Sequence, residues 1–174
     1  MQHAHRLLLI IAPNDPDHGP HLAHKLAAEG LIAAQRAHEE EVLPEVQVMI
    51  TEGMTELGLW YRLAPVCFMG GTLFAGGAGR TPYEPAALGS AILHGPYPGP
   101  YPEAYARLSE ARATRQVASS EALAVAVADL IAPDKAAVLA HNAWAATSGG
   151  AEVAERIVQI ALSTLDAANG KAVA

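Results

Sequence analysis

The chain has 174 residues, 51% of them apolar and 17% charged, a size that fits one domain and a composition that excludes a disordered protein. Eighteen acidic against eleven basic residues leave a formal charge of −7, which opposes binding to a nucleic-acid backbone. No run approaches the ~18 apolar residues of a spanning helix, so no segment is expected to cross a bilayer.

The opening MQHAHRLLLIIAP has an apolar stretch of only Leu7 to Ala12, followed by turn residues and no small-residue cleavage site. It therefore reads as a strand and not a signal peptide. Strand-length apolar runs then alternate with segments of helical period, the pattern of a parallel sheet with helices on both faces. The strands are expected near 6–12, 31–35, 46–51, 66–69, 90–94 and 112–117. The helices between them are expected near 19–29, 55–64, 83–88 and 102–110, with a helical tail over about 119–171. The whole reads as one domain. Thr55 is the expected N-cap of the second helix, and Pro65 its stop. Ser119 or Ser120 is expected to cap the tail, Asp134 to cap a second helix in it, and Gly149 and Gly150 to separate a third. In that last segment Val153, Ile157, Ile160 and Leu165 follow helical spacing.

In open parallel sheets ligands bind beyond the carboxyl ends of the strands. Three loops lie there: PNDPDHG, EGMTE and GGTLFAGGAGRTPYEP. The third is rich in glycine, which lets backbone N–H groups approach a phosphate, and a helix start follows it. It lacks the Gly-Lys-Ser/Thr ending of a P-loop and the spacing of a dinucleotide fingerprint, so a mobile surface loop remains the alternative. Glu84 either complements the helix dipole or accepts both hydroxyls of a ribose. Glu56 presents the same choice, with the helix-start role favoured. His18, His21 and His24 are expected to be solvent-exposed, and no metal site is expected. His94 ends a strand, as a site candidate or a structural histidine. Cys67, in VCFM, is expected to be a buried thiol in a reducing compartment. Trp60 and Tyr61 fit the core face of a helix.

The blocks LLLIIAPNDP, MTELGLWYRLAPVCFMGGTL, TPYEPAALGSAILHGP and SGGAEVAERIV resemble, in order and spacing, the C-terminal half of the bacterial 3-deoxy-D-manno-octulosonic acid (Kdo) transferases. The resemblance implies an α/β, Rossmann-like doubly wound sheet, the donor-binding half of a GT-B glycosyltransferase, with a helical tail. It implies CMP-Kdo as donor, a lipid A precursor as acceptor through a missing N-terminal half, and no metal or other cofactor. It places the protein in the cytoplasm or at the cytoplasmic face of the inner membrane, in lipopolysaccharide biosynthesis. The nucleotide-binding residues it implies are Pro13, Asn14, Met54, Thr55, Glu56, Gly70, Gly71, Thr72, Arg80, Thr81 and Glu84. No catalytic residue is implied, because the family's general base belongs to the other half. Two departures stand out. Pro13-Asn14-Asp15-Pro16 replaces the family's Pro-Arg-His-Pro, and Arg80-Thr81 falls where a His-Asn pair is usual. The family's first strand would precede Met1, so LLLIIA and VCFM are expected to pair directly, or to be covered by another chain, for example in a homo-oligomer.

Overall fold

The structure, a computed structural model, describes residues 7–36 and 43–171, excluding the side chains of 150–155 and 165–171. It divides into two compact units, Met1–Trp60 and Tyr61–Ala174.

In the first unit the strands β1 (Leu9–Ile11), β2 (Ala33–Gln35) and β3 (Val48–Ile50) form a parallel sheet in the order β1-β3-β2. Leu9 and Ala33 both face Val48 across the ladders. The central strand β3 is buried along its length, as expected of a parallel strand covered on both faces. After β1 the chain turns through a 3-10 segment, Pro16–His18, where the Asp15 carboxylate accepts from the Asp17 N–H at 3.0 Å. Helix α1 (Gly19–Ala28) follows and packs on β2. It ends at Gly30, whose φ of 78° allows the Gly30 and Leu31 N–H groups to reach back to Ala27 and Leu26. That is a helix stop only glycine makes without strain.

The second unit begins within helix α2 (Leu57–Leu63). Strands β4 (Val66–Met69), β5 (Ala91–His94) and β6 (Thr114–Gln116) form a second parallel sheet in that order. Helices α3 (Tyr83–Ala87), α4 (Pro102–Glu110), α5 (Ser120–Leu130) and α6 (Pro133–Lys171) complete it. The alternation along β5 divides the core. Ile92 packs with Met69, Ala86, Tyr105, Leu108 and Ala143 on one face. Ala91 and Leu93 pack with Val117, Ala126, Leu130 and Ala136 on the other. Helices thus cover both faces of this sheet, the Rossmann-like arrangement expected. The Ser90 hydroxyl, buried at the start of β5, lies 2.7 Å from the Tyr61 carbonyl and 2.9 Å from that of Ala64, tying α2 to the sheet. Ser119 caps α5 as expected, accepting from the Ala122 N–H at 3.2 Å. Asp129 of α5 bridges Arg115 of β6 and Lys135 of α6.

Several expectations change. β1 and β4 belong to different sheets, each at an end, so the direct pairing expected of them is not formed. Thr55 does not cap α2: its hydroxyl donates to the Glu52 carbonyl at 3.0 Å, closing a turn ahead of the helix. Asp134 lies inside the first turn of α6, which Pro133 begins. The glycine pair at 149–150 does not interrupt α6, since each glycine costs only ~1 kcal/mol against alanine and the flanking alanines favour helix. Of the apolar residues expected to line one face there, Ile157 and Ile160 are exposed, while Val153 and Leu165 lie outside the described side chains. Among the described residues no helix is long and apolar enough to cross a membrane.

Candidate functional site

On the first unit, the loops after β1 and β3 meet. A Cβ on Gly53, whose φ is 60°, would lie 3.0 Å from the Pro16 ring and 3.5 Å from the Pro13 carbonyl, so glycine permits the contact. Beside it, at the carboxyl ends of the strands, a cleft of about 500 Å³ is lined by Asp17, Gln35, Thr51, Glu52 and Thr55 among others. Of the expected site residues here, Thr55 lines this cleft, Asn14 and Met54 are exposed and Pro13 is half-buried. Glu56 makes a bidentate ion pair with Arg36, at 3.1 and 3.2 Å, so its carboxylate is already engaged. Asp17 and Glu52 fall in loops that the sequence pointed to, though neither was singled out, and Gln35 and Thr51 escaped the sequence reading. The signal for Gln35 and Thr51 was their position at or just beyond a strand's carboxyl end.

On the second unit, the glycine-rich segment after β4 is folded tightly on itself. A Cβ on Gly77 would stand 2.1 Å from the Gly71 carbonyl oxygen, and one on Gly71 would stand 2.9 Å from that of Ala78. A Cβ on Gly95, after β5, would stand 2.1 Å from the Thr72 oxygen. These glycines are needed for backbone to pack on backbone, before any ligand is considered. Gly70, by contrast, faces open space. Thr72 is fully buried: its hydroxyl donates to the Met69 carbonyl at 2.6 Å and accepts from the Gly95 N–H at 2.7 Å. Its side chain therefore braces the loop that it shares with Gly70 and Gly71.

Farther along, the Thr81 hydroxyl accepts weakly from the Tyr83 N–H at 3.4 Å, leading the chain into α3. Glu84 lies exposed in the first turn of α3. Its carboxylate has no ion-pair partner among the described residues, unlike that of Glu56. Burial pushes the Tyr61 phenol up to about 12; Cys67 raises it further, Arg80 opposes the rise and Glu84 adds to it. Arg80 and Glu84 thus both act electrostatically on one buried ring. An exposed carboxylate and a half-buried guanidinium beside ordered main chain suit a ligand that offers hydroxyls and negative charge.

His94 and Cys67 are structural. His94 is 4% exposed, its Nδ1 is 2.7 Å from the Gly95 carbonyl, and its ring lies 4.7 Å from that of Tyr105. Nδ1 therefore carries the proton, and the buried Nε2 has no hydrogen-bond partner among the described residues. Burial holds this imidazole below its ordinary 6.5, partly opposed by the bond to Gly95. The unfolded chain then takes up the proton first as pH falls, so stability present above about 6.5 declines as pH drops through the folded-state value. His94→Gln is expected to flatten that part of the stability–pH profile, as followed by urea unfolding. Cys67, expected to be buried, is half-buried, and desolvation raises its thiol to about 12, which disfavours the thiolate at neutral pH. His18, His21 and His24 are exposed, as expected.

Comparison with known proteins converges on one group. A protein of Arabidopsis thaliana described as a probable mitochondrial 3-deoxy-D-manno-octulosonic acid transferase is 33% identical over 93 residues, covering 53% of this chain and 21% of its own length. The 3-deoxy-D-manno-octulosonic acid transferase of Haemophilus influenzae is 31% identical over 126 residues, or 72% and 29%. That of Bordetella pertussis is 30% identical over 151 residues, or 84% and 35%. The chain thus spans about a fifth to a third of the length of these relatives. The crystal structure of the C-terminal CMP-Kdo binding domain of WaaA from Acinetobacter baumannii shares the fold, with a TM-score of 0.75 at 24% identity, over 82% of this chain and 74% of that one. No family model matches the chain.

Proposed function

The chain is homologous to the Kdo transferases, and on that premise we propose that it is the donor-binding portion of such a glycosyltransferase, holding CMP-Kdo. The observation that carries this reading is the exposed Glu84 carboxylate, without an ion-pair partner among the described residues, on the same loop-and-helix segment as Arg80, beyond the carboxyl end of β4. Glu84 grips the ribose hydroxyls. Arg80 faces the phosphate, and Gly70 and Gly71 let main chain approach it, with Thr81 alongside. On the first unit Pro13, Asn14, Met54 and Thr55 are proposed as nucleotide contacts. Glu56 is the weakest candidate there, since Arg36 already engages it.

In the intact enzyme an acceptor hydroxyl attacks the anomeric carbon of Kdo as CMP departs, with inversion. This portion stabilises the charge that gathers on the departing phosphate, an interaction stronger in the transition state than in the ground state. The general base is supplied elsewhere. The chain alone therefore binds nucleotide without transferring sugar. The acceptor is proposed to be a lipid A precursor at the cytoplasmic face of the inner membrane, in lipopolysaccharide synthesis. Calorimetry with CMP tests the reading. Binding is expected, with Glu84→Ala weakening it by at least about tenfold, as removal of a charge-assisted pair of hydrogen bonds does. Preference for UDP would reassign the donor. No affinity for CMP, UMP or UDP at millimolar concentration would make the chain a non-catalytic derivative, a reading that the substituted Asn14, Asp15, Arg80 and Thr81 suit.

A further inference from the structure

We infer that Tyr105, on α4 and outside every loop considered above, positions the far half of the glycine-rich segment for its ligand, acting through the main chain of Arg80. The Tyr105 ring is 2% exposed and belongs to the core with Met69, Ile92, Leu108 and Ala143. Its hydroxyl leaves that core and donates to the Arg80 carbonyl oxygen at 3.0 Å. Burial raises the phenol well above its ordinary value, so it stays protonated and remains a donor.

The near half of the segment has other anchors: Thr72 bonds to Met69 and Gly95, and its carbonyl accepts from the Tyr97 N–H at 2.9 Å. Beyond the backbone pinch at Gly71 and Gly77 the chain has fewer. Gly79 abuts the Pro98 carbonyl, and then the Tyr105 hydroxyl fixes Arg80. Fixing that carbonyl sets the peptide plane between Arg80 and Thr81, and with it the origin of the guanidinium and the approach to the first turn of α3, where Glu84 sits. A phenylalanine would fill the same core space. The substitution removes one hydrogen bond and leaves the ring in the core, so the loss falls first on the local order of the segment.

This inference rests on the reading that Arg80 and Glu84 meet the nucleotide, and two measurements on the full chain separate the two. In the unliganded Tyr105→Phe protein, hydrogen exchange is expected to quicken roughly fivefold over residues 76–84, the factor expected for one hydrogen bond. Exchange over α4 should be unchanged and the melting temperature should shift little. CMP affinity should fall by a similar roughly fivefold. Tyr105→Leu, which removes the ring as well, should lower the melting temperature and quicken exchange in α4, marking what a purely structural loss looks like. Unchanged exchange over 76–84 in Tyr105→Phe overturns the tether. Quickened exchange with wild-type CMP affinity overturns its role in positioning. If the wild-type chain binds no CMP, the nucleotide reading and the positioning role both fail, and the exchange result alone decides the tether.

Discussion

Alanine at Gly77 or at Gly95 is expected to destabilise the second unit by about 3 kcal/mol or more, in the upper range of single substitutions. In both cases the new methyl would stand 2.1 Å from a carbonyl oxygen, that of Gly71 or of Thr72. The obstacle is main chain, which has no rotamer to change. Relief therefore requires the loop after β4 to separate from its own far half, in the first case, or from the turn after β5, in the second. Gly149→Ala supplies the control. That glycine meets nothing within 4 Å and lies inside α6, so alanine there should stabilise by ~0.5–1 kcal/mol. Urea unfolding of the three variants checks both signs. A Gly77→Ala midpoint equal to wild type would mean that the loop is not packed as described.

Thr72→Val should cost nearly as much, about 2–4 kcal/mol, although the two side chains have almost the same shape. Valine fills the site but leaves the Met69 carbonyl and the Gly95 N–H without the buried hydroxyl that now serves both. A buried polar group deprived of its partner costs ~1–3 kcal/mol. Thr72→Ser keeps the hydroxyl and gives up one methyl, worth ~0.8 kcal/mol. The expected order of stability is therefore threonine, serine, valine. A pure packing role would reverse the last two, and chemical denaturation distinguishes the outcomes.

The regular elements were legible where punctuation was strong. β4 and α4 fall on the residues expected, the first between Pro65 and Gly70 and the second opened by Pro102. β1 is shorter than its apolar run because only Leu9–Ile11 pairs with β3. The glycine-rich segment was visible as special, but its reason was not. Glycine that admits a ligand and glycine that admits another stretch of backbone leave the same letter, and the partner of Gly95 is Thr72, on another loop. The two glutamates illustrate the same limit. Glu56 and Glu84 both precede or open a short helix, and what separates them is Arg36, distant in sequence, which engages Glu56. The cleft on the first unit was legible only as loops: Asp17 and Glu52 lie in two of the loops singled out, but they are distant in sequence from each other and from Gln35 and form no motif.

One feature of the sheets bears on how the polypeptide behaves in bulk. The margins at β2 and β6 are guarded by Gln35 with Arg36 and by Arg115 with Gln116. Those at β1 and β4 read Leu-Ile-Ile and Val-Cys-Phe-Met, without a charge. Among the described residues neither has a strand on that side, and an uncharged margin of this kind is a template for pairing with another extended segment. Clumping of the isolated polypeptide is then a two-body event, rising with the square of its concentration, and a lysine placed in either margin would suppress it.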